Sequence, residues 1–312
     1  MIISASRRTD IPTYYSDWFL NRVKDGYLLV RNPMNAHQVS RISLSPDVVD
    51  CIVFWTKNPT PMISCLDELK DYCYYFQYTL TGYGKDVESN LPDKRKVLIP
   101  SFIKLSEVLG LDRVIWRYDP ILLTEKYTAE YHIKAFEEIA KTLKGYTKKV
   151  VISFVDIYQK NKKNMEQVKS KTVTNNEWIE LAGNLKALAD KYDLQIATCS
   201  EEMDLSSVGI EHNACIDKDL IERLTGAKIK AKKDKTQRPE CLCAESIDVG
   251  AYNTCRNGCK YCYANFSYES VLDNSKRYDV NSPMLCDAPR EDDKITDRPM
   301  KSLLDRQLSF DL

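Results

Sequence analysis

The chain has 312 residues, 43% of them hydrophobic, enough for one large core or two modest ones, which excludes a chain disordered throughout. Lys plus Arg and Asp plus Glu both number 45, so the formal net charge of zero argues against a surface built as a whole for nucleic acid. The opening MIISASRRTDIP lacks a long apolar core, and no run of about 18 apolar residues exists to span a bilayer, so a cytoplasmic protein without membrane contact is expected.

Over residues 1–227, short apolar runs rich in β-branched and aromatic residues alternate with stretches of helical period, the rhythm of repeated β-α units. Seven strands are predicted, starting at Ile2, Tyr27, Cys51, Cys73, Arg113, Lys149 and Leu194. The aromatic run from Tyr72 to Tyr83 alternates across one of them and is read as core packing. Two apolar stripes mark helices, Phe136-Ile139-Ala140-Leu143 and Trp178-Leu181-Leu185-Leu188. Gly26, Gly110, Gly145 and Gly226 each follow a helical run, where the left-handed conformation suits glycine.

The expected fold is α/β, a TIM-like (β/α) barrel for which no convincing eighth strand is found. No glycine-rich phosphate loop follows the first strand, which argues against a dinucleotide fold. Residues 228–239, with KIKAKKDKTQR from Lys228 to Arg238, read as a basic linker, either a solvated connection or a phosphate-contacting patch. Residues 240–312 hold a cysteine-rich segment and a polar tail containing Pro283, Pro289 and Pro299, expected to pack on the barrel.

Eleven cysteines in a reducing compartment are poorly explained by disulfides, and five of them fall between Cys241 and Cys262. Cys51, Cys65, Cys73 and Cys286 are scattered and read as packing residues. Cys255-Arg-Asn-Gly-Cys259-Lys-Tyr-Cys262 has the form C-x3-C-x2-C, three soft thiolates within eight residues. A 4Fe-4S cubane held by three cysteines keeps one iron free of protein ligands, so a small molecule can bind it. A zinc knuckle is the competing reading, with Cys241 or Cys243 as the fourth ligand. Cys199, Cys215, Cys241 and Cys243 are candidates for a second metal site, a closed 4Fe-4S cluster or zinc, with His212 as a substitute ligand.

C-x3-C-x2-C with an aromatic residue, here Tyr261, before the last cysteine resembles the signature of the radical S-adenosylmethionine superfamily. More closely, the chain resembles a bacterial family defined as a domain of unknown function whose C-terminal cysteines are similar to that signature. SRRTDIP, FWTKNP, WRYDPI, CSE and GCKYCYAN carry the likeness. It implies an enzyme in which the free iron of a 4Fe-4S cluster chelates S-adenosylmethionine. Reductive cleavage then gives a 5'-deoxyadenosyl radical that abstracts hydrogen from a small-molecule substrate. It further implies Tyr261 and Asn265 as cofactor-binding residues and an electron donor such as a flavodoxin or ferredoxin. In this chain the motif follows the β-α repeats, whereas the superfamily carries it near the N-terminus. A barrel tolerates the permutation, since its first and last strands are neighbours.

In β-α units, catalytic groups come from the C-terminal ends of strands. The candidates there are Arg7 and Asp10 after the first strand, Lys57 and Asn58 after the Cys51 strand, Arg117 and Asp119 after the Arg113 strand, and Glu201 after the Leu194 strand. Arg7 or Arg117 could clamp a carboxylate. Arg117 and Asp119, two apart on one strand, could instead form a bracing ion pair. Two other classes compete with the enzyme: a non-catalytic iron-sulfur or zinc protein whose cysteines staple the tail, and a nucleic-acid enzyme, which the neutral charge disfavours.

Overall fold

The protein is described by a computed structural model covering residues 1–305. The strands, in chain order, are β1 (Ile2–Ala5), β2 (Tyr27–Asn32), β3 (Asn35–Ser43), β4 (Cys51–Thr56), β5 (Tyr74–Thr79), β6 (Val114–Ile121) and β7 (Lys149–Phe154). Shorter ones follow: β8 (Gln195–Thr198), β9 (Glu211–His212), β10 (Lys228–Ile229), β11 (Ile247–Asp248), β12 (Lys294–Asp297) and β13 (Leu304–Asp305). Eight of them form one parallel sheet in the order β11-β1-β4-β5-β6-β7-β8-β9.

The expected α/β fold with a large parallel sheet is present, but among the described residues the sheet is not closed, because β9 and β11 stand at its two edges and do not pair with each other. Both are two-residue strands, too short to carry an apolar pattern that a sequence can reveal. The strand beginning at Tyr27 is corrected in a different way. It pairs antiparallel with β3 in a separate three-stranded sheet completed by β12. It is followed after two residues by β3, a spacing that makes an antiparallel hairpin and leaves no room for a crossover helix.

Alternation within the strands assigns each face. Ile3, Phe54, Phe76, Trp116 and Ile152 point to one side, where the helices Ser16–Asp25, Ile99–Leu109, Ala129–Leu143 and Asn175–Lys191 cover them. Phe54 and Phe76, directly opposite in register, stack at 4.9 Å. Ile2, Val53, Tyr75, Ile115 and Val151 point to the other side, onto Cys215, Ile216, Leu220, Ile221 and the segment around Cys243. Burial of each such side chain contributes roughly 1.5–3 kcal/mol, and a one-residue slip would exchange the faces.

The predicted helical stripes are buried as expected: Phe136, Ile139, Ala140 and Leu143 in one helix, Leu181 and Leu185 in the other. Thr174 and Glu177 start the second helix with a reciprocal capping box. Among the described residues no helix is long and apolar enough to cross a membrane.

His132, fully buried in the helix Ala129–Leu143, gives the core a pH dependence. Its Nε2 lies 3.0 Å from the Leu122 carbonyl, which only accepts, so Nε2 carries the hydrogen and Nδ1 accepts from the Tyr118 hydroxyl at 2.8 Å. Burial lowers the imidazole to about 4, against a smaller opposing effect of the Leu122 hydrogen bond. The unfolded chain therefore takes up a proton near pH 6.5 that the native state refuses until about pH 4. Stability is expected to be full above pH 6.5 and to fall by about 3 kcal/mol as the pH drops through that window. Urea unfolding of the wild type and of His132→Gln at several pH values checks this. The same slope in both chains would assign the dependence elsewhere.

Candidate active site

The C-terminal ends of the parallel strands open into a cavity of about 430 Å³. Ser6, Lys57, Thr79, Arg117, Ser153 and Glu201 border it from β1, β4, β5, β6, β7 and the turn after β8. Its remaining wall comes from the C-terminal third of the chain. Cys255, Cys259, Cys262, Tyr261 and Tyr263 line it, as do Cys199, Cys215, Cys241 and Cys243. Both cysteine groups picked out in the sequence therefore face one space.

The loop carrying C-x3-C-x2-C is docked by its backbone on the segment after β5. Glu88 and Cys259 form an antiparallel bridge, and Lys260 N–H donates to the Val87 carbonyl at 2.9 Å. The Asn90 amide donates to the Arg256 carbonyl at 2.7 Å, and the Tyr15 hydroxyl to that of Thr254 at 2.6 Å. The Ala264 N–H points at Cys262 Sγ, 3.4 Å away. Burial pushes the thiols of Cys255, Cys259 and Cys262 up, that of Cys259 to about 12 against the pull of Lys57.

Gly258 is the tightest point of this docking. It has φ +69°, and a Cβ there would lie 2.2 Å from Ser89 Oγ. Gly258→Ala is expected to cost about 1–3 kcal/mol and to loosen the loop. Thermal melts of Gly258→Ala and of Gly258→Ala with Ser89→Gly measure it, the second recovering the clash but not the backbone strain. An unchanged melt in the single variant would contradict the tight docking.

Beneath the loop lies a charged group that only Lys57 announced in sequence. Glu88, 1% exposed, binds Lys57 Nζ at 2.9 Å, Thr81 Oγ1 at 3.0 Å, and the Lys94 ammonium and Tyr261 hydroxyl. Burial alone would raise this carboxyl, but the two ammonium groups overcome it and hold Glu88 at about 2. Lys57 Nζ also donates to the Tyr261 hydroxyl at 2.7 Å, which fixes the aromatic ring before Cys262.

Asp10 is buried and acts as a joint. It caps the turn at Ile11–Tyr14 through Thr13 N–H and accepts from Lys57 N–H at 2.8 Å and Asn257 Nδ2 at 3.0 Å. Burial raises its carboxyl. Arg117 is equally committed, to Asp119 and, through Nη1, to Cys215 Sγ at 2.8 Å. Asp119 also accepts from the Ser153 hydroxyl. The bracing pair foreseen in sequence thus exists, and it also carries a cation to a thiol. Arg7 lies over the Trp55 ring at 5.3 Å, and its Nη2 is buried without a hydrogen-bond partner.

Glu201 accepts from Phe154 N–H at 3.0 Å, and burial raises its carboxyl to about 7. Two predicted residues are not brought to the cavity. Asn58 folds back on Thr60, and Asn265 spends its amide on the Cys255 carbonyl at 2.7 Å, so both shape loops. His212 is likewise away from the cysteines, bonded to Thr198 Oγ1 at 3.1 Å.

Sequence reasoning missed Asp248 on β11, which accepts from Ser4 Oγ, Ser6 Oγ and Arg7 N–H at 2.7–2.9 Å. It also missed the pair Arg238–Asp156, at 2.7 Å, that flanks the cavity mouth. The stretch 228–239 is structured at both ends: β10 pairs with β13, while Gln237 and Arg238 line the cavity.

No curated protein matches the chain. The family model described as Domain of unknown function (DUF1848) matches residues 2–264, a span that includes the rim residues and all seven cavity cysteines, and the chain belongs to that family.

Proposed function

We propose that the protein is a radical S-adenosylmethionine enzyme acting on a small molecule, with Cys255, Cys259 and Cys262 as ligands of a 4Fe-4S cluster. The observation that carries this reading is that all three cysteines of C-x3-C-x2-C border the cavity at the strand ends, among buried charged and aromatic groups. The donor set fits a cluster better than a single ion. A tetrahedral zinc ion needs sulfurs about 3.8 Å apart, and among the described residues no three cysteine sulfurs are mutually within 4.8 Å. The Ala264 N–H directed at Cys262 Sγ is the kind of donor that tunes cluster sulfurs.

Cys255, Cys259 and Cys262 would hold the cluster, which would supply the one electron that splits S-adenosylmethionine into methionine and a 5'-deoxyadenosyl radical. The chain's own residues orient and enclose the reactants. Asp10, Asn257 and Glu88 hold the cysteine loop against the strand ends. Tyr261, fixed by Lys57, offers a ring at the cavity wall, suited to the adenine. With Arg117 committed to Asp119, Arg7, whose Nη1 lies 4.0 Å from Asp234, keeps its unpartnered Nη2 for an anionic group of cofactor or substrate. The strand order, circularly sequential apart from the gap between β9 and β11, supports a barrel-like reading of the sheet. A flavodoxin or ferredoxin would deliver the electron.

A stapling role for the cysteines has less support, since the loop is already anchored by protein hydrogen bonds. Anaerobic reconstitution with iron and sulfide, followed by reduction in the presence of S-adenosylmethionine, tests the proposal. Formation of 5'-deoxyadenosine is expected. A zinc-loaded protein inert towards S-adenosylmethionine would overturn it.

A further inference from the structure

The four remaining cavity cysteines come from three separate stretches of chain, and the fold gathers them. Cys199 follows β8, Cys215 follows β9, and Cys241 and Cys243 lie before β11. Cys199 Sγ and Cys215 Sγ are 3.2 Å apart, Cys215 also meets the Cys243 thiol, and Cys243 meets that of Cys241. The four sulfurs thus make a continuous run along one cavity wall.

The surroundings are shaped for sulfur carrying negative charge. Cys215 N–H and Ile216 N–H both point at Cys243 Sγ, at 3.2 and 3.4 Å. The guanidinium of Arg117, 4% exposed, donates to Cys215 Sγ at 2.8 Å, and Asn213 Nδ2 approaches the same atom at 3.7 Å. These positions are held by the sheet face opposite the helices, where the Tyr75 hydroxyl and Gln77 amide both donate to the Cys215 carbonyl, at 2.7 and 2.9 Å. A buried arginine and two peptide N–H groups directed at thiols are wasted on neutral packing cysteines, whereas thiolates bound to a metal centre use all of them.

We propose that Cys199, Cys215, Cys241 and Cys243 bind a second 4Fe-4S cluster, closed by four thiolates. A single zinc ion would hold every pair of sulfurs at about 3.8 Å and a cubane spreads its four cysteines further, so Cys199 and Cys215, 3.2 Å apart here, separate to take the cluster into the cavity that they border. The run borders open space, as the larger inorganic core requires. With every iron ligated, this centre exchanges electrons and leaves substrate binding to the rest of the cavity. The proposal does not depend on S-adenosylmethionine chemistry at the other cysteines.

The test is metal analysis of the full chain after anaerobic reconstitution, in the wild type and in a Cys255→Ala, Cys259→Ala, Cys262→Ala triple variant. The wild type should hold about eight iron and eight sulfide, and the triple variant about four of each with a retained cluster absorption and Mössbauer spectrum. Cys215→Ser with Cys243→Ser should return the wild-type count to about four. About four irons present in both chains would overturn the first cluster and leave this one standing, whereas a wild type whose four or so irons are lost in the triple variant overturns the proposal. So does one zinc per chain in the triple variant, or a Cys199–Cys215 disulfide recovered by mass spectrometry from anaerobically prepared protein.

Discussion

Cys259→Ala is expected to reduce cleavage of S-adenosylmethionine to the background of reductant alone, while the chain stays folded. Removal of one of three thiolates leaves the motif with two, and a cubane held by two cysteines is not retained at this site. The iron attributable to the motif should fall from about four per chain to below about one. The fold survives because what holds the loop is its backbone and its neighbours: the Lys260–Val87 hydrogen bond, the Asn90–Arg256 hydrogen bond and the ring of Tyr261 on Lys57 and Glu88. Circular dichroism together with a product assay separates the two effects. Wild-type product formation in this variant is incompatible with the proposed ligand set.

The second large effect belongs to Glu88. Among the described residues its carboxylate is the one acidic group within ion-pair distance of the two buried ammonium groups, Lys57 and Lys94. Glu88→Ala leaves both charges in a dry site with nothing to balance them, a change that costs about 3–5 kcal/mol, on the order of 10 °C in Tm. Glu88→Gln keeps the shape and loses the charge, and should fall between Ala and wild type. Because the Glu88 carboxylate also accepts from the hydroxyl of Tyr261, between Cys259 and Cys262, the same variants should retain less iron after reconstitution. Native Glu88 titrates near 2 against 4.5 when free, so its contribution is present above pH 4.5 and is lost as the pH falls from there towards 2. A calorimetric Tm for Glu88→Ala equal to that of the wild type would show that the network carries no stability.

What the sequence revealed and what it withheld follow from the range of the interactions concerned. The C-x3-C-x2-C spacing is local, so Cys255, Cys259 and Cys262 could be grouped without a fold. Arg7, Lys57 and Glu201 were legible because a charged residue directly after an apolar strand marks the strand's C-terminal end, whereas Arg117, read in the same way, lies within β6, which runs on to Ile121. Glu88 gave no such signal. It lies in the polar stretch from Lys85 to Lys94, where a carboxylate buried between two lysines reads the same as a solvated one. Asp248 was hidden because β11 is two residues long and pairs with a strand nearly 250 positions away. For Tyr27 the apolar alternation was read correctly as a strand, but alternation says nothing about which sheet a strand joins. Asn58 and Asn265 stand beside site residues in the chain, yet both turn their amides onto nearby backbone or hydroxyl groups, as asparagines in loops commonly do.

The claim that an iron of the C-terminal cysteine motif binds S-adenosylmethionine can be measured without knowing the substrate. Reduced, reconstituted protein is mixed anaerobically with S-adenosylmethionine isotope-labelled in its carboxylate, and electron-nuclear double resonance is recorded on the cluster signal. Hyperfine coupling to the labelled carboxylate is expected in the wild type and absent from Cys259→Ala. A cluster signal that shows no coupling and does not change when S-adenosylmethionine is added would contradict the proposed chemistry.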